Sequence, residues 1–332
     1  MVRIYRLIFS KWLNIQGEGM TTILTLTMNP SLDIATSIEH VTDTIKLRCT
    51  QEQVHPGGGG INVSRIIHNL GGNSCALFPC GGYTGNQLQF LLEEEGLTLH
   101  ALAIKSDTRQ SFSVHETSSG KDYRFLLPGH TLDENTAQSC LSYISTLHPT
   151  PRYLVASGSL PPGISEDFYA RVSKIAQSIN CLFVLDTSGT PLNHALSTGG
   201  IYLFKPSLQE LEEFTGQTLA TESAQIQAAN ALIQTGQVKI VVLSLGSDGA
   251  MLVSAEGVLK AQSIPVTPVS TVGAGDSVVG GMVWALDNGM NTEQALRYGI
   301  ASAAATITNP HGEMGRAADI HALIDQVRIS KI

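Results

Sequence analysis

Ser270-Thr271-Val272-Gly273-Ala274-Gly275-Asp276-Ser277 precedes a small-residue-rich apolar run, Val278 to Leu286, that reads as a helix. Gly273, Ala274 and Gly275 let the backbone turn tightly into that helix, so its first amides point outward at an anion. Asp276, in the first turn, is placed to accept a proton from a hydroxyl while those amides stabilise charge on a migrating group such as a phosphoryl. The bland alternative is an ordinary helix start whose acidic residue answers the dipole.

A second string, Pro56-Gly57-Gly58-Gly59-Gly60-Ile61-Asn62-Val63-Ser64-Arg65, abuts Ile66, Ile67 and Leu70 at helical spacing, which a flexible linker would not need. Gly58, Gly59 and Gly60 allow a polyol to lie against the backbone, Asn62 offers donors and acceptors, and Asp33 offers acceptors alone. Lys46, Arg48, Arg109 and Arg124 lie in or beside two segments of alternating polarity. As a strand, the first would put Lys46 and Arg48 on one face, and the four cations would clamp a phosphate. For a nucleotide, Ser244, Gly246 and Gly249 follow a buried strand and could supply amides, and Lys205 and Ser207 sit at another strand-to-helix turn. Glu210 would orient magnesium-bound water there, or simply begin a solvated helix.

Elements must position these residues. Short apolar strands alternate with helical stretches, which predicts a doubly wound, mostly parallel α/β sheet flanked by helices. Tyr153–Ala156, Cys181–Leu185, Ile201–Phe204 and Ile240–Leu243 each end in a polar or glycine turn, and strand carboxyl ends are where such sheets bind ligands. Residues 35–54 and 108–128 break that rhythm with a period near two and predict a separate small β-sheet lid. Residues 20–332 are expected to be one domain, and 1–19, with a second methionine at Met20, an extension outside it.

Composition sets the bounds. With 332 residues, 42% hydrophobic and 14% charged, the chain can bury a large core. A net charge of −8 offers no field for nucleic acid or an anionic membrane, so anionic ligands fall to local cations. Five scattered cysteines without CxxC, and apolar runs no longer than a strand, predict reduced thiols, no membrane span and a cytoplasmic protein. The histidines lack ligand spacing. No Gly-x-x-x-x-Gly-Lys-[Ser/Thr] string exists.

Together with Asn29-Pro30-Ser31-Leu32-Asp33, Lys46-Leu47-Arg48-Cys49-Thr50, Thr108-Arg109-Gln110, Tyr123-Arg124-Phe125 and Ser157-Gly158-Ser159-Leu160-Pro161-Pro162-Gly163, these strings resemble the phosphofructokinase B branch of the ribokinase-like kinases over residues 21 to 329. The resemblance implies Mg-ATP as donor, Asp276 as base and Gly273 to Gly275 as anion hole. It also implies Asp33 and Gly58 to Asn62 as sugar contacts, with Lys46, Arg48, Arg109, Arg124 and Ser159 around the phosphorylated end. A glycine at 59, where 1-phosphofructokinases and tagatose-6-phosphate kinases usually have lysine, favours fructose 6-phosphate as substrate. Lid-to-lid homodimers and a monovalent cation such as K⁺ near Ser270, Val272 and Asn309 are further implications. One departure is Ser207-Leu208-Gln209-Glu210, where the family usually has Asn-x-x-Glu. That serine motivates a rival of another class, a sugar-phosphate sensor without turnover.

Overall fold

A computed structural model describes residues 22–310 and 312–332, so the expectation for residues 1–19 lies outside the described residues. The elements run β1 (Ile23–Leu26), β2 (Ser31–Ile38), β3 (Gln53–Gly57), α1 (Gly59–Asn69), β4 (Ser74–Cys80), α2 (Gly82–Glu94) and β5 (Thr98–Ala103). Then come β6 (Arg109–Glu116), β7 (Lys121–Leu126), α3 (Glu134–Thr146), β8 (Tyr153–Ser157), α4 (Phe168–Ser178), β9 (Leu182–Asp186), α5 (Gly189–Thr198) and β10 (Ile201–Phe204). The remainder is α6 (Leu208–Thr215), α7 (Glu222–Gln234), β11 (Val238–Ser244), β12 (Ala250–Ser254), β13 (Gly257–Ala261), α8 (Ala274–Asp287), α9 (Thr292–Ile307), α10 (Ala317–Ile324) and β14 (Ile329–Lys331).

Ten strands form one sheet in the order β14-β13-β12-β11-β10-β9-β8-β1-β4-β5. From β5 to β11 neighbours are parallel, whereas β12, β13 and β14 return antiparallel. The central strands β1, β4 and β8 are buried on both faces, as their continuous apolar runs require, whereas the edge strand β5 has no buried residue. Leu24, Leu26, Leu154 and Ala156 pack under α3, α4 and α5, while Ile23, Tyr153 and Val155 face α1, α8 and α9. The expected doubly wound layer is therefore present, and β8, β9, β10 and β11 bring their four polar turns to one edge.

The second sheet has the order β3-β2-β6-β7. Its central pair, β2 and β6, is parallel, and the outer pairs are antiparallel. Leu32 roots it in a cluster with Ile61, Phe78, Leu88 and Leu92. The lid differs from expectation over its first segment. Strand β2 begins at Ser31 and ends at Ile38, and the chain then runs without strand pairing to β3 at Gln53, carrying Lys46 and Arg48 in an exposed loop. Alternation there has no core to face: residues 42–53 are all exposed, and the loop is tied near its two ends, where Val41 N donates to Glu116 Oε1 at 2.7 Å and Thr50 N to Ser37 O at 2.9 Å. Lys46 and Arg48 therefore do not share a strand face. All five cysteines are free, and no described helix is long and apolar enough to cross a membrane.

Candidate active site

Helix α1 starts where β1 and β8 end. Gly58, its N-cap, has φ 124°, a region closed to most side chains, and a Cβ on Gly59 would lie 2.1 Å from Ser157 Oγ. The glycine run thus seats the first turn of α1 directly on the sheet edge. Gly273, the N-cap of α8, is left-handed at φ 77° and lies under the Met314 side chain. The first helical turn then leaves the amides of Gly275 and Asp276 without intrahelical acceptors.

Asp276 is where these two helix starts meet. Asn62 Nδ2 donates to its Oδ2 at 3.0 Å and Ser157 Oγ donates to its Oδ1 at 3.2 Å. Burial raises its pKa, against the pull of Asn62, Lys205 and Ser157. The carboxylate is thereby both aimed and made more basic, as a proton acceptor requires. The Lys205 ammonium lies 3.2 Å from Asp186 Oδ1 and 3.3 Å from where a Cβ on Gly275 would stand. Burial disfavours its charge, but Asp186, Glu210 and Asp276 outweigh that and hold its pKa above the usual value. Burial also pushes Asp186 up to about 6, opposed by Lys205. A cation thus stands beside the open amides, at the place where a transferred anion would sit.

Other expected contacts distribute around this point. Asp33 accepts from Ser31 Oγ at 2.6 Å and packs over Gly57, beside the glycine run. Asp33 and Arg124 line one small cleft with Ser111, Ser113 and Val272. Arg109 Nε and Nη2 donate to Asn29 O at 3.2 and 3.1 Å, and Asn29 Nδ2 donates to Ser159 Oγ at 3.3 Å. Arg109 and Ser159 are therefore neighbours through Asn29. The exposed loop does not bring Lys46 and Arg48 to this group within one chain. Asn62 points its amide at Asp276 rather than standing free for a sugar.

Ser207, Ser244 and Gly246 line a shared open cleft with Leu208, Leu245 and Lys260. Gly249 does not offer a free amide there: its N–H donates to Gly246 O, and its φ of 99° makes the turn before β12. Ser207 and Glu210 form a capping box at α6, with Ser207 N donating to Glu210 Oε2 at 2.7 Å. The backbone links the Ser270 and Asn309 loops, since Val269 N and Ser270 N both donate to Ile307 O. Sequence reasoning placed Ser157 and Asp186 in turns lining the crevice and Asn29 in a family-like string, but gave none of them a part in the site. Ser157 and Asp186 each end a buried parallel strand on a polar side chain, and that position was the available signal.

A transfer site of this build, at the carboxyl edge of a doubly wound sheet with a side-mounted β lid, defines a ribokinase-like kinase. The family model for pfkB family carbohydrate kinases matches residues 26–314. The ATP-dependent 6-phosphofructokinase isozyme 2 of Mycobacterium tuberculosis is 45% identical over 293 residues, 88% of this chain and 86% of the relative. A 1-phosphofructokinase of Borreliella burgdorferi is 32% identical, over 93% of this chain and 99% of the relative. Among solved structures, phosphofructokinase-2 from Escherichia coli in complex with potassium matches with TM-score 0.88 and 37% identity, covering 92% of this chain and 99% of that one. The chain belongs to the pfkB family of carbohydrate kinases, phosphotransferases with an alcohol group as acceptor.

Proposed function

We propose that this kinase moves the γ-phosphoryl group of ATP to a hydroxyl of fructose 6-phosphate, giving fructose 1,6-bisphosphate and ADP. The observation that carries the reading is Asp276 held by Asn62 and Ser157 beside the first amides of α8 and the Lys205 ammonium. Asp276 accepts the hydroxyl proton as the sugar oxygen bonds to the γ-phosphorus. The bond from phosphorus to the β,γ-bridging oxygen breaks, and ADP leaves with those electrons. The amides of Gly275 and Asp276, with Lys205, carry charge on the transferring group.

Among the described residues no group of three or more His, Cys, Asp or Glu is placed to hold a metal by itself, so magnesium would be held chiefly by the nucleotide phosphates with a carboxylate of the protein beside them. Glu210 spends one oxygen on its cap, so it would reach the ion through water. Bound there, magnesium neutralises phosphate charge. Ser270, Val272 and Asn309 would serve a monovalent cation, as the potassium complex of the E. coli relative suggests. The capping box gives Ser207 a structural task that needs only its hydroxyl, which weakens the motive for a sensor without turnover.

Substrate choice rests on the relative named 6-phosphofructokinase and on Gly59, where any side chain would displace Ser157 from Asp276. ADP release measured with fructose 6-phosphate, fructose 1-phosphate and tagatose 6-phosphate should give the highest kcat/KM with the first. A preference for either of the others replaces the substrate. Arg109→Ala is expected to raise the KM for fructose 6-phosphate about tenfold or more, since a charge-assisted phosphate contact is worth roughly 1.5–3 kcal/mol. An unchanged KM removes Arg109 from the phosphate clamp. Phe112, Phe125, Leu126 and Leu127 are exposed on or next to the lid, together with Ile45 and Leu47 in its loop. They support a homodimer through the lids, which sedimentation would reveal.

A further inference from the structure

Arg65 lies behind the site, on the third turn-face neighbour of Asn62 along α1, with a side chain only 5% exposed. Its Nε and Nη2 each donate to the Glu95 carboxylate at 2.7 Å, at the end of α2. That forked pair fixes the guanidinium plane. The remaining nitrogen, Nη1, donates to Pro56 O at 3.3 Å and to Asn62 Oδ1 at 3.4 Å.

Guanidinium has donors and no acceptor, so only the carbonyl oxygen of Asn62 can face it. The amide NH₂ is then left for Asp276, to which it donates at 3.0 Å. A flipped Asn62 would set N–H against N–H at Arg65 and oxygen against carboxylate at Asp276. Arg65 therefore decides which end of Asn62 meets the carboxylate. We propose that Arg65, locked by Glu95, is a positioning residue for phosphoryl transfer that acts on Asp276 through the orientation of Asn62. The proposal rests on Asp276 being the base.

Asp276 also faces Lys205 at the end of β10, Ser157 at the end of β8 and, more distantly, Asp33 on β2. None of them is a hydrogen-bonding partner of Arg65, so its influence has to pass through Asn62. His55 faces Arg65 from β3, and burial together with that cation lowers its pKa.

The test is a double-mutant cycle of Arg65→Met with Asn62→Ala, read as kcat, KM and the pH profile of kcat/KM. In the parent background Arg65→Met should lower kcat about tenfold, the order expected when a reacting group is slightly misaimed. KM for both substrates should hold, and the acid limb should move up by about one pH unit, as loss of a hydrogen bond to the charged form predicts. On the Asn62→Ala background the same substitution should change neither kcat nor the acid limb. Arg65→Lys, which keeps the charge and loses the fork, should recover only part of kcat. Should Arg65→Met fail to fold, Glu95→Gln, which loosens the clamp and keeps the guanidinium, carries the same cycle with a smaller effect.

Equal losses in both backgrounds, or an unmoved acid limb, would overturn the relay. Asp276→Asn measured alongside separates the two failures. Turnover retained in that variant sinks the base, whereas an inactive variant combined with additive Arg65 and Asn62 effects sinks the relay alone.

Discussion

Asp276→Asn is expected to lower kcat by about 10²–10⁴-fold, the usual worth of general-base assistance, while ATP and sugar phosphate still bind. The substitution keeps the size of the side chain and an oxygen for Ser157, but sets its NH₂ against the Asn62 NH₂, so one of the two hydrogen bonds is lost. What disappears is the only acceptor for the hydroxyl proton among the groups at the start of α8. Folding should not suffer. Because burial raises the pKa of Asp276, the folded state holds its proton more tightly than the unfolded chain does, and the ionised form is a liability at neutral pH. Relief of that burial penalty opposes the loss of the Asn62 hydrogen bond, so the variant should melt close to the parent. The same sign fixes the parent's pH profile: activity needs the ionised carboxylate, so kcat/KM should fall on the acid side at a pH above the ordinary aspartate range. Isothermal titration of both ligands, a melting curve and a rate profile read these outcomes. Near-parent turnover in Asp276→Asn would remove the base from the mechanism.

Lys205→Met should be the most damaging single change to stability. Lys205 and Asp186 have side chains 8% and 14% exposed and stand 3.2 Å apart. Removing one partner of a buried pair costs about 3–5 kcal/mol, because the other charge stays behind uncompensated. Asp186 is pushed up to about 6 even with Lys205 opposing the rise, so without Lys205 the abandoned carboxyl takes a proton more readily still, and the loss should be largest at alkaline pH and shrink as pH falls toward about 6. Urea unfolding at acid and alkaline pH measures the trend. Turnover should fall as well, about 10²–10³-fold, the usual price of one preorganised charge-stabilising donor. Adding Asp186→Leu removes the stranded charge and should restore stability without restoring turnover. A double variant as unstable as the single one would show that the pair is not the source of the loss.

Much of the chemistry was legible because its residues have few other reasons to be where they are. Glycines at the mouth of a helix, followed by Asp276 or Asn62, imply outward amides and a polar group whatever the surrounding chain does. Strands ending in Ser157, Asp186, Lys205 and Ser244 implied a crevice, since a parallel sheet displays its carboxyl ends along one edge. The lid was legible where the chain met a buried face, as in β2 and β6, and misleading in residues 42–52, where the same alternation is exposed to water.

Tertiary structure decided the pairings. Asn62 and Asp276 are separated by 214 positions and Ser157 and Asp276 by 119, and neither contact has a local signature. They exist because the strand order places β8 between β1 and β9, so that α1 and α8 begin against one another over the same strand ends. Likewise only the fold turned Asn62 from a free sugar ligand into the bridge between Arg65 and the carboxylate. Residue types fix what each group can donate or accept, and strand order fixes which of them meet, because a hydrogen bond depends on ångströms that sequence distance does not encode.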